Sequence, residues 1–192
     1  MSLLLKISTR LFPNRRDRYN LKTQKRAEWF ARASAAVDLV QRALPNGGAI
    51  ADVGCGDQKL RLEIERRGAT YTYSGYDIDP QGADVIKFDL SSDELNRYFD
   101  VIVILGVLEY VKDVGAALKK LSTNTRFLVV SHVNSDDVDY SPERVRKMNW
   151  VSVLRKSEFE AALGYAGYTI LERLVLDDTT RLWLCESLNA LF

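Results

Sequence analysis

Apolar positions change their period along this chain. Between residues 21 and 44, Trp29, Ala33, Ala36, Val37, Val40 and Leu44 fall at three- and four-residue steps, the stripe of an amphipathic helix. Pro45, Asn46, Gly47 and Gly48 end it. Beyond them, short apolar runs alternate with helical stretches. The pattern predicts strands over 49–53, 71–76, 84–88, 99–105 and 126–132, and helices over 60–67, stopped by Gly68, and over 113–121. The strand runs are apolar on both alternating positions, which implies burial on both faces, as in a parallel sheet covered by helices. Ser91 with Glu94, and Ser157 with Glu160, match the capping box and predict two further helix starts. The tail differs from the body. Residues 168–176 and 180–188 are strand-like runs joined by Asp177 and Asp178, too close for a crossover helix, so they are expected to pair antiparallel.

Composition narrows the class. A chain of 192 residues, 46% hydrophobic and 28% charged, suits one folded domain and excludes wholesale disorder, collagen-like repeats and a disulfide scaffold. Cys55 and Cys185, both in apolar contexts, are too few for a zinc cluster and read as small hydrophobes in a reducing compartment. With no run long enough for a membrane span or a signal peptide, a cytoplasmic location is expected.

The net charge of +1 conceals an asymmetry: residues 1–32 hold nine Lys or Arg against two acids. This divides the chain into a basic N-terminal arm, residues 1–20, and a domain, residues 21–192. Within the arm Leu3, Leu4, Ile7, Leu11 and Phe12 fit one side of a short helix, with Lys6 and Arg10 toward the other. Residues 1–16 are therefore expected to make peripheral contact with an anionic membrane surface or to fold over an acceptor pocket. With little aromatic interleaving in the arm, nucleic acid is not the expected partner.

Chemistry concentrates in Ala51-Asp52-Val53-Gly54-Cys55-Gly56, a strand that runs into a glycine turn and then a helix. Such glycines let backbone approach a ligand closely, and the helix start offers free N–H groups. Against a dinucleotide fingerprint, Lys59 occupies the place of the third glycine, and Asp52 would repel a pyrophosphate. A ligand carrying positive charge suits Asp52 better.

ADVGCGDQKL resembles the first motif of the class I S-adenosylmethionine-dependent methyltransferases, and three later segments agree in order and spacing. In Tyr76-Asp77-Ile78-Asp79-Pro80, Asp77, 23 residues after Gly54, matches the family acid that binds the ribose hydroxyls, and Ile78 the residue packed on adenine. Asp89, before Leu90, matches the acid facing the adenine amino group. Residues 99–110, which include Leu105 and Gly106, resemble the motif beside the methionine part of the cofactor. The resemblance implies a single Rossmann-like doubly wound α/β sheet of seven strands, mostly parallel with a C-terminal antiparallel hairpin strand, and helices on both faces. It also implies S-adenosylmethionine as cofactor, held by Asp52, Gly54, Cys55, Gly56, Asp77, Ile78, Asp89, Leu90, Leu105 and Gly106. Gln58 departs from the family pattern, where many members carry another glycine. Asp100, at the start of its strand and far from the ligand-binding edge, reads as structural.

Methyl transfer is an in-line displacement at an activated carbon, so alignment dominates and a base assists only some acceptors. His132, the one histidine, stands at the ligand-facing end of the fifth strand and is the candidate base, with Glu109 and Tyr110 next. Asp136, Asp137 and Asp139 raise a metal reading, but the carboxylate that would accompany them after the fourth strand is absent at Leu105-Gly106-Val107, so no metal is expected. The acceptor, methylated on oxygen or nitrogen, is read as a small molecule, a glycan or a lipid-linked compound, with Tyr19, Trp29 and Trp150 near its pocket. A catalytically silent cofactor-binding or partner-binding module is the alternative from a different class; a nucleotide-linked oxidoreductase is disfavoured by Lys59 and Asp52.

Overall fold

The computed structural model describes residues 27–137, 141–178 and 180–190. Its frame follows from runs that are buried on both faces. Strands β1 (Gly48–Val53), β2 (Tyr71–Asp77), β3 (Val85–Lys87), β4 (Phe99–Ile104) and β5 (Thr125–His132) form the parallel part of one sheet, and β6 (Tyr168–Val175) and β7 (Arg181–Ser187) close it. The order is β3-β2-β1-β4-β5-β7-β6. β7 lies antiparallel to both β5 and β6, as the hairpin reading requires.

Helix α1 (Ala27–Ala43) and α2 (Lys59–Arg66) cover one face, where Leu39, Val40, Leu60 and Ile64 pack on Ile50, Val101, Val103 and Val129. On the other face α3 (Val114–Leu121) and α5 (Lys156–Tyr165) place Leu118, Leu121, Phe159 and Leu163 against Ile102, Ile104, Leu128 and Trp183. Asp113 caps α3 by accepting the Ala116 N–H at 2.9 Å. α4 (Pro142–Met148) is capped by Ser141, has Pro142 in its first turn and buries none of its residues. No apolar stripe announces such a helix. Among the described residues no helix is long and apolar enough to cross a membrane.

The structure places several elements differently. The helix expected from residue 21 is described only from Ala27, and the arm of residues 1–20, Tyr19 and Asp139 lie outside the described residues. No helix follows Ser91. Asp89 instead accepts the Ser91 N–H at 2.9 Å while Asp93 accepts the Asp89 N–H at 2.8 Å, a local turn that competes with a helix start. Nor does Ser157 cap α5. Asp136 already holds the Lys156 N–H (3.0 Å), and Glu158 reaches back to the Arg155 N–H (2.8 Å), so the helix begins earlier. Glu160 is thereby released from capping and binds Arg173 and the indole N–H of the fully buried Trp183 (3.0 Å).

β2 and β3 are joined by only residues 78–84, with no helix. Parallel neighbours normally need a longer crossover. Here β3 pairs only with the end of β2, Gly75 to Asp77, so the chain retreats a short way before running parallel again. The connections leave β1 in opposite directions, toward β2 and β3 and then back to β4. That reversal opens a crevice at the carboxyl ends of β1 and β4.

Candidate active site

The crevice begins with the turn after β1. The N–H groups of Gly54 and Cys55 both donate to the Tyr76 carbonyl, at 2.7 and 3.0 Å, which folds the turn over the end of β2. Gly54 has φ +78°, and a Cβ there would collide with Val107 after β4. Gly56 donates its N–H to Asp77 Oδ2 (2.8 Å), and the other Asp77 oxygen accepts the Asp79 N–H (2.9 Å). Each carboxylate oxygen keeps a second lone pair for a ligand hydroxyl. Gln58, the departure from the family pattern, takes φ 60°, ψ 37°, so the loop keeps a left-handed residue there without a glycine. That conformation costs a side-chain-bearing residue about 1–2 kcal/mol. Gln58→Gly is therefore expected to raise stability by up to about 1 kcal/mol in urea unfolding, after the greater entropy of the unfolded glycine chain is counted. A loss of stability would show that the Gln58 bonds to Arg61 and Asp84 outweigh the backbone strain.

Across the crevice, Gly106 (φ +67°) donates its N–H to Ser131 Oγ at 2.9 Å. A Cβ there would lie 2.7 Å from Arg32 and 2.8 Å from Trp29, so these two residues of α1 cover Gly106. Arg32 stacks on the Trp29 ring at 4.4 Å and donates to Thr180 Oγ1. Leu105 packs with the α1 side of the core.

Between these loops lies a cavity of about 360 Å3 lined by Gly54, Ile78, Phe88, Asp89, Leu90, Ser91, Val107, Tyr110, Lys112 and Val151, among others. Of the residues anticipated for a cofactor, Gly54, Ile78, Asp89 and Leu90 line it directly, and Asp77 is joined to the turn through the Gly56 N–H. Sequence reasoning did not single out Phe88, Lys112 or Val151. Val151 enters because the Glu109 carbonyl accepts the N–H groups of Val151 and Ser152 at 2.8 and 3.0 Å, a pairing that no local pattern encodes. Trp150 lies beside Arg144 of α4, with 5.8 Å between guanidinium and ring.

Asp52 and Cys55 turn away from this cavity. Asp52 is buried and accepts the Tyr73 hydroxyl at 2.7 Å. Burial pushes its carboxyl up to about 7, the Tyr73 bond opposes that rise, and the charge of Asp77 adds to it. Cys55 packs against Gly75, and burial, with Asp52 and Asp77 nearby, drives its thiol far above the ordinary range. It is a neutral hydrophobe contributing backbone to the turn. Lys59 is buried, paired with Asp57 and close to the Phe30 ring.

The three base candidates separate. Tyr110 lines the cavity. Glu109 is buried, its Oε1 accepting the Val133 N–H at 3.0 Å and its Oε2 lacking a partner among the described residues. His132 is fully buried at the end of β5, its ring stacked on Phe159 at 4.5 Å, its Nδ1 3.3 Å from Asn134 Oδ1 and its Nε2 likewise without a partner among the described residues. Asp136 and Asp137, considered for a metal, bind protein groups instead: Asp136 the α5 N-terminus, Asp137 the Arg181 guanidinium. Asp100, as expected of a structural residue, accepts the Ala49 N–H (2.7 Å) at the remote end of the sheet.

A family model described as a methyltransferase domain matches residues 25–173. The ribosomal protein L11 methyltransferase of Thermotoga neapolitana is 23% identical over 138 residues, covering 65% of this chain and 52% of that protein. The chain spans about half the length of the curated relatives it matches. Among solved structures, magnesium protoporphyrin IX methyltransferase from Synechocystis PCC 6803, with bound S-adenosylmethionine, shares the fold at TM-score 0.61 and 19% identity, covering 87% of this chain and 83% of that one. The Burkholderia thailandensis 1,6-didemethyltoxoflavin methyltransferase, solved with 1,6-didemethyltoxoflavin and S-adenosylhomocysteine, gives TM-score 0.64 at 16% identity, covering 84% and 79%.

Proposed function

The chain belongs to the methyltransferase domain family, and on that premise we propose that it transfers a methyl group from S-adenosylmethionine to the oxygen or nitrogen of a small-molecule acceptor. One observation carries the reading: the cavity at the sheet's switch point is lined by Gly54 of a left-handed glycine turn, by Asp89 and by apolar walls, and the same turn is tied through the Gly56 N–H to Asp77 at the end of β2. That donor set fits the cofactor. Asp77 and Asp89 offer acceptors to ribose hydroxyls and an adenine amino group, and Ile78, Phe88 and Leu90 offer apolar surface to a ring. The bound methyltransferase neighbours, one with its acceptor in place, support a small-molecule substrate.

S-adenosylmethionine supplies an electrophilic methyl group on a sulfonium. The remaining demands fall on the chain. Gly54 lets the Val107 side chain close on the turn, Gly106 lets Trp29 and Arg32 pack over the loop after β4, and Tyr110 and Val151 line the cavity where an acceptor would enter. His132 takes the proton when the acceptor is a hydroxyl. Glycan and lipid-linked acceptors are the larger members of the same substrate range.

Titration calorimetry with S-adenosylmethionine, S-adenosylhomocysteine and NAD tests the cofactor, and a screen of hydroxyl and amine acceptors with methyl-labelled cofactor tests the reaction. Binding of the first two ligands and label transfer to an acceptor are expected. Binding with no transfer to any acceptor would favour the silent module, and preference for NAD would overturn the reading. Asp77→Ala is expected to weaken S-adenosylhomocysteine binding by about 1.5–3 kcal/mol, the value of hydrogen bonds to a charged group. Because Asp77 also holds the Gly56 and Asp79 N–H groups, Asp77→Asn, which keeps one acceptor oxygen, should fall between. Unchanged affinity in a folded Asp77→Ala protein would remove Asp77 from the site.

A further inference from the structure

Three groups stand in series behind His132, the chain's one histidine. Arg181, opposite His132 in the β5–β7 ladder, donates Nε and Nη2 to Asp137 Oδ1 at 2.9 and 2.5 Å. With that guanidinium against it, Asp137 is a carboxylate, which only accepts. Its other oxygen takes the Asn134 backbone N–H at 3.1 Å and faces Asn134 Nδ2 at 3.5 Å. The opposite amide orientation would press Asn134 Oδ1 against the carboxylate, so Nδ2 faces Asp137 and Oδ1 turns to His132. Oδ1 also only accepts. At 3.3 Å from it, His132 Nδ1 must therefore carry a hydrogen, and in the neutral ring the lone pair is left on Nε2.

Packing holds that arrangement. The ring lies within 18° of parallel to Phe159, which is itself buried beside Trp183. Nε2 has no partner among the described residues. A buried acceptor without a partner is destabilising, and a purely structural imidazole would be expected to have both nitrogens bonded.

We propose that Asn134, itself held by Asp137 and Arg181, is a positioning residue that fixes His132 as the Nδ1–H tautomer and so keeps the lone pair of the buried Nε2 free to take the acceptor's proton. This rests on His132 as the base of the reaction proposed above. As the acceptor oxygen forms its bond to the methyl carbon and the carbon–sulfur bond breaks, the hydroxyl proton passes to Nε2. The resulting imidazolium keeps its Nδ1–H bond to Asn134. In the other tautomer Nε2 would already hold a hydrogen and could not receive the proton.

Nitrogen-15 NMR of the untagged, uniformly labelled protein reads the tautomer directly, because one histidine gives one pair of ring nitrogens. The expected result is a protonated Nδ1 and an unprotonated Nε2 in the neutral form, with Asn134→Ala, or Asn134→Ser if alanine does not fold, shifting the population toward Nε2–H. The same variants should lower turnover of a hydroxyl acceptor by about tenfold or more with cofactor affinity unchanged. A wild-type protein found with Nε2–H, which needs no variant to observe, overturns the proposal, as does a variant that leaves the tautomer unchanged. A tautomer that changes while turnover does not would instead overturn His132 as the base.

Discussion

Replacing Asp52 with asparagine should make the protein more stable at alkaline pH, by up to about 4 kcal/mol, and leave it little changed near pH 4. The carboxyl is raised from its ordinary 3.8 to about 7 because it is buried, and each pH unit of that rise is worth about 1.4 kcal/mol. The sign follows from linkage. The folded protein holds this proton more tightly than the unfolded chain, so the stability it contributes is complete below the unfolded value and is lost as pH rises through about 7. Asparagine keeps an oxygen for the Tyr73 hydroxyl and carries no charge at any pH. Urea unfolding between pH 4 and 9 should show the parent losing stability relative to the variant over that interval. Parallel curves would mean that Asp52 is ionised throughout.

The same ionisation connects to ligand charge. A cationic cofactor near the turn favours the carboxylate, so affinity for S-adenosylmethionine should rise with pH through about 7 in the parent and stay flat in Asp52→Asn. A shared flat profile would make Asp52 structural, holding Tyr73 and the turn, with no electrostatic part in binding.

What could be read from the sequence divides along physical lines. Runs buried on both faces, such as residues 127–132, announce their strands because every position is apolar or internally bonded, and the short link between β6 and β7 forces an antiparallel pair. The glycine turn was legible for a similar reason: positive φ at Gly54 and Gly56 restricts which residue can stand there. Ser91 and Ser157 misled because a capping box is a local preference: Asp89 takes the Ser91 N–H, and Glu158 and Asp136 hold the Arg155 and Lys156 N–H groups, which starts α5 ahead of Ser157. α4 carries no apolar stripe, since it rests on the surface. Asp52 shows the limit within the site. Its place before the glycines suggested direct contact with a cation, but alternation along β1 sends its side chain to the Tyr73 side of the sheet, where burial governs its chemistry. Val151 joined the cavity through its bond to the Glu109 carbonyl, a contact distant in sequence that no window of residues records.

His132→Asn should reduce turnover of a hydroxyl acceptor by about a hundredfold or more while cofactor affinity survives. The size is that of general-base assistance, and the direction follows from removing the one nitrogen that can take a proton at this end of β5. Asparagine is close in size and polar, so the variant loses the stack on Phe159 but keeps a group able to meet Asn134. Three measurements separate the readings: near-ultraviolet circular dichroism for packing around Phe159 and Trp183, calorimetry for S-adenosylhomocysteine, and turnover of hydroxyl against amine acceptors. A folded, cofactor-binding variant whose rate on a hydroxyl acceptor stays within a few-fold of the parent would assign His132 to bracing the loop that begins at Asn134. Proton removal would then pass to Tyr110, which already lines the cavity, or to none of the chain's groups, with the rate set by how well the walls align the acceptor.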